Sequence, residues 1–297
     1  VMSNLCLGTA QFGLDYGCTN HSGKVTTNEI GKILEKFHTA GGQFLDTAPA
    51  YGNSEMLLSG YSQDFNILSK TPHVDPLAQV DQVIESFESS LENSLAALNT
   101  SHIQGLLLHQ ANIVNQYPDE VINWLTSVKK DGRVRELGVS VYELSDIEDW
   151  DALGDVIDWL QIPLNLMDER AIRQPVLAQL RNKGVKIQVR SVFMQGLLLD
   201  HKSAKVVLPE PARVFLDRYN TWCEKANINK LALLFQGVMQ HHPELITFGV
   251  NSISELEQIL LPVGDEKTNL LQQWIEQDIA ATDIPESWLN PFNWELS

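Results

Sequence analysis

Short apolar runs that stop at a chemically capable side chain recur along this chain. Phe44 and Leu45 lead into Asp46, Ile67 and Leu68 lead through Ser69 into Lys70, and Leu106, Leu107 and Leu108 lead into His109. Tyr51 follows Asp46 within the same loop. Runs of this kind are what a parallel barrel presents at the carboxyl-end face of its strands, where active sites collect.

The rest of the chain supports that architecture. Strand-like stretches at 5–9, 44–46, 66–70, 103–109, 137–141, 159–163, 185–192 and 246–250 alternate with helix-like ones. Thr26 caps a helix that runs to about residue 40, and Gly41-Gly42 ends it. The segment 79–98 sets Val80, Val83, Ile84, Phe87, Leu91, Leu95 and Leu98 on one stripe. Helices are expected at 120–131, closed by Gly132, and at 145–153, 174–182 and 228–241, with an extra one at 211–226. A further helix at 268–281 follows the last repeat, with Thr268 as its cap. Eight βα units in 297 residues predict an α/β fold, a (β/α)8 TIM barrel occupying 1–297 as a single domain with extra helices near and after the last repeats. A doubly wound sheet would need a phosphate fingerprint after its first strand. Gly8, Gly13 and Gly17 do not form one, and no P-loop occurs.

The formal net charge of -17 argues against nucleic acid or an anionic membrane as partner. An anionic cofactor must then be held by local dipoles or by a few chosen bases. Cys6, Cys18 and Cys223 are an odd, widely spaced set, which argues against a disulfide framework and for a reducing compartment. There is no apolar stretch of membrane-spanning length and no basic-then-apolar leader, so a soluble, cytoplasmic protein is expected. His241-His242 is a lone pair, short of a zinc ligand set, and no metal is expected.

The four polar groups suit proton transfer. A free phenol titrates near ~10, too high for efficient donation and recovery at neutral pH. A neighbouring ammonium favours phenolate, and Lys70 supplies one if its strand adjoins. Lys70 in turn needs an anion to stay charged in a partly buried cleft, and Asp46 is the candidate. His109 can hydrogen-bond the reacting oxygen and orient it. Together they suit protonation of a carbonyl oxygen while a nucleophile such as hydride reaches carbon. Taken singly, Asp46 reads equally as a turn cap, Tyr51 as a packed loop residue, Lys70 as surface and His109 as a core histidine. Their joint placement at successive strand ends favours function.

Gly8-Thr9-Ala-Gln-Phe-Gly13, Asp46-Thr-Ala-x-x-Tyr51-Gly-x-Ser-Glu55, Ser69-Lys70 and Leu107-Leu108-His109 resemble the aldo-keto reductases. Gly138-Val139-Ser140, Gln161, the stretch from Ser191 to Leu197, and Gly249-Val250-Asn251-Ser252 carry the resemblance through the eighth strand. It implies a barrel that binds NADPH or NADH in extended form without a Rossmann domain. It also implies Tyr51 as general acid, Asp46 and Lys70 tuning it, and His109 positioning a small-molecule carbonyl substrate. Gly8, Thr9 and Asp46 fall in the implied cofactor site. Ser191, Phe193, Gln195, Gly196 and Leu197 match the loop whose backbone amides wrap the pyrophosphate.

Three departures qualify the resemblance. Val141 stands where the family often has asparagine, leaving Ser140 and Gln161 as contacts to the nicotinamide carboxamide. Arg190 stands where an aromatic commonly stacks on the nicotinamide, and its guanidinium can stack too or turn to the pyrophosphate. The adenosine end offers Gly249, Asn251, Ser252, Glu255 and Gln258, with Glu255 about where a relative's arginine grips a 2′-phosphate. Weak discrimination between NADH and NADPH follows, unless Arg190, Lys202 or Lys205 supplies a clamp. For substrate, Phe12, Asp15, Tyr16 and Asn20 of the first loop and Gln110, with Tyr51 and His109, suit a hydroxylated, sugar-like carbonyl. The alternatives are a cofactor-sensing binding subunit and a Schiff-base lyase using Lys70.

Overall fold

A computed structural model describes residues 2–261, 269, 273, 275–279 and 282–297. Its strands are β1 (Leu5–Gly8), β2 (Phe44–Asp46), β3 (Asn66–Lys70), β4 (Ile103–Leu108), β5 (Val134–Ser140), β6 (Trp159–Pro163), β7 (Lys186–Arg190) and β8 (Leu245–Phe248). They pair in parallel in chain order, and β8 closes on β1. This is the (β/α)8 barrel expected.

The period of two along each strand decides what the lumen contains. Cys6, Leu68, Leu107, Trp159 and Leu245 form an apolar plug inside the barrel, with Phe44 packed against it. The residue two positions on faces the same way, so the lumen changes from apolar to polar within one step. Phe44 is followed by Asp46, Leu68 by Lys70, Trp159 by Gln161 and Leu245 by Thr247. The plug keeps water out from below, and the polar layer above it is the floor of the site.

Outside, the helices present apolar stripes to the strands. Ile30, Ile33, Leu34 and Phe37 of the helix Thr27–Thr39 are buried, and Thr26 accepts from the Glu29 N–H at 3.3 Å. In the helix Val80–Ala97 the buried stripe is Val83, Phe87, Leu91 and Leu95, with Val80 and Ile84 at its half-buried edge. The helix expected from 120 begins earlier, at Pro118, because the first turn has no use for the missing N–H. The single helix expected at 145–153 is two short turns, Leu144–Asp146 and Trp150–Gly154. Asp146 folds back to accept from the Tyr142 and Glu143 N–H groups at 2.9 and 3.0 Å, and Asp149 accepts from the Ala152 N–H at 3.1 Å. Each aspartate thus caps its own turn and breaks continuity.

The extra helix is Glu210–Ala226, ahead of Lys230–Met239. Of the helix expected at 268–281, residues 275–279 are helical and Thr268 lies outside the described residues. Among the described residues no helix is long and apolar enough to cross a membrane. Cys6, Cys18 and Cys223 are buried and unbridged.

Candidate active site

Asp46 and Lys70 close β2 and β3 side by side. The Lys70 ammonium donates to Asp46 Oδ1 at 2.6 Å and to the Thr47 carbonyl at 2.9 Å. The other carboxylate oxygen, Oδ2, accepts from Gln161 Nε2 at 2.8 Å and from Gln188 Nε2 at 3.0 Å. Four strands therefore hold one charge pair. Burial alone would push the ammonium's pKa down, but the facing Asp46 and Tyr51 outweigh it and hold Lys70 above the ordinary lysine value. An amine kept charged is a poor nucleophile, which argues against a Schiff-base role for Lys70.

Tyr51 is fixed over this pair by backbone contact between two loops. A Cβ on Gly13 would lie 1.7 Å from the Tyr51 carbonyl oxygen, and one on Gly52, at φ +58, would lie 2.4 Å from the Gly13 carbonyl oxygen. Only glycine permits that crossing. The remaining residues of the Asp46–Glu55 segment support it. Ser54 Oγ donates to Thr9 Oγ1 at 2.7 Å, and Thr9 Oγ1 donates to the Asp46 carbonyl at 2.9 Å. The Glu55 carboxylate, its pKa raised by burial, accepts from Ser69 at 2.8 Å and Ser94 at 3.0 Å. Lys70 Nζ lies 5.1 Å from the centroid of the Tyr51 ring, and the His109 ring meets that ring edge-on at 6.1 Å.

His109 follows β4, its N–H donating to Thr71 Oγ1 at 3.1 Å. Burial first, then the charges of Lys70, His73 and Arg190, push its pKa down to about 2. It is therefore a neutral imidazole, and its buried Nδ1 has no partner. His73, with its ring 4.6 Å from that of His109, went unremarked in the sequence. Its signal was position alone, three residues beyond the Lys70 strand end.

A cavity of about 470 Å³ runs from this cluster across the barrel mouth. Gly8, Thr9, Tyr16, Asp46 and Tyr51 line one end, then Arg190, Ser191, Phe193, Gln195 and Gly196, then Gly249, Asn251, Glu255 and Gln258 at the other. Other expected contacts lie off its wall. Ser140 Oγ donates to Gln161 Oε1 at 2.8 Å, so those two are bonded to each other and through Gln161 to Asp46. Leu197 and Phe12 are buried in the core. Ser252 caps the helix Ile253–Ile259. Gln110 Oε1 accepts from the Val74 N–H at 2.8 Å and so braces the loop after β3.

Asn20, expected in the first loop, lines the cavity, and so do Gln11, Thr19 and His21, which sequence reasoning missed. Asn20 bonds the Tyr16 and Gly23 carbonyls at 3.0 Å each and reaches Asn251 Oδ1 at 3.4 Å. His21 bonds the Ser203 carbonyl at 2.9 Å, the Lys205 N–H donates to the Cys18 carbonyl at 2.8 Å, and Lys205 Nζ reaches the Asn20 carbonyl. The loop after β1 is thus strapped to the loops after β7 and β8. Beneath it Ser191, Met194, Gln195 and Gly196 have φ of +61, +50, +56 and +97. Non-glycine residues in that region are costly and cluster where a loop is shaped to a ligand.

The two ends differ in charge. The Arg190 guanidinium lies 4.7 Å from the Tyr142 ring centroid and donates to the Val141 carbonyl at 3.1 Å and to Ser191 Oγ at 3.2 Å. At the far end Glu255 Oε2 accepts from the Asn251 N–H at 2.6 Å, and the Ile253 N–H donates to Glu29 Oε1 at 2.7 Å. Two carboxylates therefore occupy the turn between β8 and the helix Ile253–Ile259. The cavity's size and the positive-φ loop on its wall fit an extended dinucleotide.

Residues 4–261 match the model of the aldo/keto reductase family. The norsolorinic acid reductase of Emericella nidulans is 30% identical over 155 residues, 47% of this chain and 39% of that protein. The NADH-specific methylglyoxal reductase of Escherichia coli is 25% identical over 196 residues, 57% of each chain. These matches span about half the length of the curated relatives or less. The holo form of an aldo-keto reductase from Bacillus halodurans superposes with a TM-score of 0.70 at 17% identity, over 92% of this chain and 91% of that one, and shares the fold.

Proposed function

Because this chain belongs to the aldo/keto reductase family, we propose that it is an NAD(P)H-dependent oxidoreductase that reduces an aldehyde, ketone or sugar-like carbonyl to an alcohol, with Tyr51 as general acid. The observation that carries this reading is the buried Lys70–Asp46 pair 5.1 Å beneath the Tyr51 ring. A bound reduced nicotinamide supplies the hydride that reaches the carbonyl carbon. The protein supplies the rest. The Tyr51 hydroxyl gives its proton to the carbonyl oxygen as negative charge develops there, so the product is a neutral alcohol and the enzyme is left with phenolate. The Lys70 ammonium stabilises that phenolate. Neutral His109 donates a hydrogen bond to the same oxygen and orients it.

The test is to follow nicotinamide absorbance with the purified protein across aldehydes, ketones and sugars. Oxidation of NADH or NADPH dependent on a carbonyl supports the reading; no oxidation with any of them overturns it.

His109 gives a pH prediction. An imidazole held neutral down to about pH 2 adds no limb to the kcat/KM profile near pH ~6.5, where a free histidine titrates. His109→Asn should therefore lower activity with a profile parallel to the parent's. A limb near that pH that vanishes in the variant would mean that His109 titrates normally.

For the cofactor, selective capture of a 2′-phosphate usually relies on an arginine or lysine fork. Here Glu255 is spent on the Asn251 N–H, and Lys205 on Asn20. A missing charge-assisted contact is worth about 1.5–3 kcal/mol, roughly ten- to a hundredfold in affinity. NADH is expected to be used comparably to NADPH; the Escherichia coli relative, named NADH-specific, supports use of NADH. Glu255→Arg should shift preference toward NADPH. Titrating both reduced cofactors at fixed ionic strength checks this, and a parent preference for NADPH beyond about a hundredfold would reveal a clamp elsewhere.

A further inference from the structure

Arg190 is the only lysine or arginine among the described residues that line the cavity. It has no carboxylate partner. Arg133, Arg170, Arg173, Arg213 and Arg218 face Asp or Glu, while Arg135 and Arg181, which also lack one, meet His102 and the His241 carbonyl away from the cavity. Arg190 donates only to neutral oxygens, the Val141 carbonyl and Ser191 Oγ. A guanidinium has five N–H donors, so most of its capacity is unspent.

Its surroundings belong to the reacting end. It is the last residue of β7, its charge acts on His109, and Tyr16 and Tyr142 lie within its field. The Tyr16 and Tyr142 hydroxyls have no hydrogen-bond partner among the described residues. Burial pushes the Tyr16 phenol up to about 12 and raises that of Tyr142, so both remain O–H donors. A cation with no carboxylate partner and a phenol donor, Tyr16, on the same cavity wall as Tyr51 is a poor match for a neutral sugar. Such a substrate would cover the guanidinium and leave its charge desolvated without compensation.

Resting on the reductase reading above, we propose that Arg190, steadied by the Tyr142 ring and joined by Tyr16, receives a carboxylate carried by the substrate, so that the preferred substrates are oxo acids. The second source of an anion is the pyrophosphate of the dinucleotide. In the positive-φ loop the Met194 and Gly196 N–H groups bond the Ser191 and Phe193 carbonyls. The Val192, Phe193 and Gln195 N–H groups have no acceptor among the described residues and line up as donors for the pyrophosphate, which leaves Arg190 for the substrate.

The experiment compares kcat/KM for glyoxylate with methyl glyoxylate, and for pyruvate with methyl pyruvate, in the parent, Arg190→Met and Arg190→Lys. The Kd of NADH is measured on each by fluorescence. The parent should favour the acid of each pair by about ten- to a hundredfold. Arg190→Met should lose that preference with NADH affinity within about threefold of the parent, and Arg190→Lys should keep part of it. An unchanged acid-to-ester ratio in Arg190→Met overturns the proposal. Weakened NADH binding with an unchanged ratio does the same, and assigns the arginine to the pyrophosphate. If the parent reduces no carbonyl at all, the reductase reading fails, and a separate measurement still decides this one. Oxamate should bind the NADH complex at least about tenfold more tightly in the parent than in Arg190→Met, and equal binding rejects the subsite.

Discussion

Tyr51→Phe is expected to reduce turnover by about 10²–10⁴-fold, the usual loss when a positioned acid is removed. The substitution deletes one oxygen. The ring remains to meet Lys70 at 5.1 Å and His109 at 6.1 Å, and the Gly13–Gly52 crossing that fixes the loop is backbone. Binding of NADH, measured by fluorescence, should therefore stay near the parent value while kcat collapses. No neighbour can replace the proton readily. His109 is neutral with its pKa pushed down to about 2, and Tyr16 is held up to about 12. The comparison should use a substrate whose chemical step limits the rate, since slow product release would hide part of the loss. Near-parent turnover in that assay would remove Tyr51 from the mechanism.

The barrel was legible because its signals are local. A run such as Leu106-Leu107-Leu108 reads as a buried strand, and a helix such as Thr27–Thr39 announces its cap and its stop. Asp46, Tyr51, Lys70 and His109 were legible because each ends or follows such a run, and the structure brings all four together. What escaped depended on contacts between distant segments. Gln188 sits in Lys186-Ile-Gln-Val-Arg190, an alternation that reads as a half-exposed strand. Only closure of the barrel turns its polar side inward, to Asp46 and Thr247. The reach of the first loop to Ser203 and Asn251 has no local signature at all. Phe12 and Gln110 were read as substrate contacts from adjacency to the motif. One is core and the other braces Val74. Glu255 carried a readable second signal: Ser252-x-x-Glu255 is the pattern of a capping box, and the Ser252 hydroxyl accepts from the Glu255 N–H at 3.2 Å. The capping chemistry explains the glutamate without any cofactor.

Lys70→Met should lower both turnover and stability, and a second substitution separates the two effects. Lys70 and Asp46 are paired at 2.6 Å with almost no exposure. Removing one member of a buried pair strands the other, at a cost of about 3–5 kcal/mol. In Lys70→Met the Asp46 carboxylate keeps only the amides of Gln161 and Gln188. Adding Asp46→Asn removes the stranded charge, so the double variant should regain much of the lost stability in a urea titration. It should not regain turnover, because no ammonium is left to stabilise the tyrosinate. The pH dependence has a definite sign. Lys70 has a folded pKa above its ordinary value, so the pair's contribution is complete below about pH 10 and is lost only as pH rises through the folded value. Across neutral pH the stability gap between parent and Lys70→Met should therefore stay constant and then narrow in strong alkali. If Lys70→Met keeps the parent's rate and pH–rate profile while losing stability, the pair holds the barrel mouth together and takes no part in proton transfer. If instead the double variant is as stable as the parent and still inactive, the ammonium acts on the reaction itself.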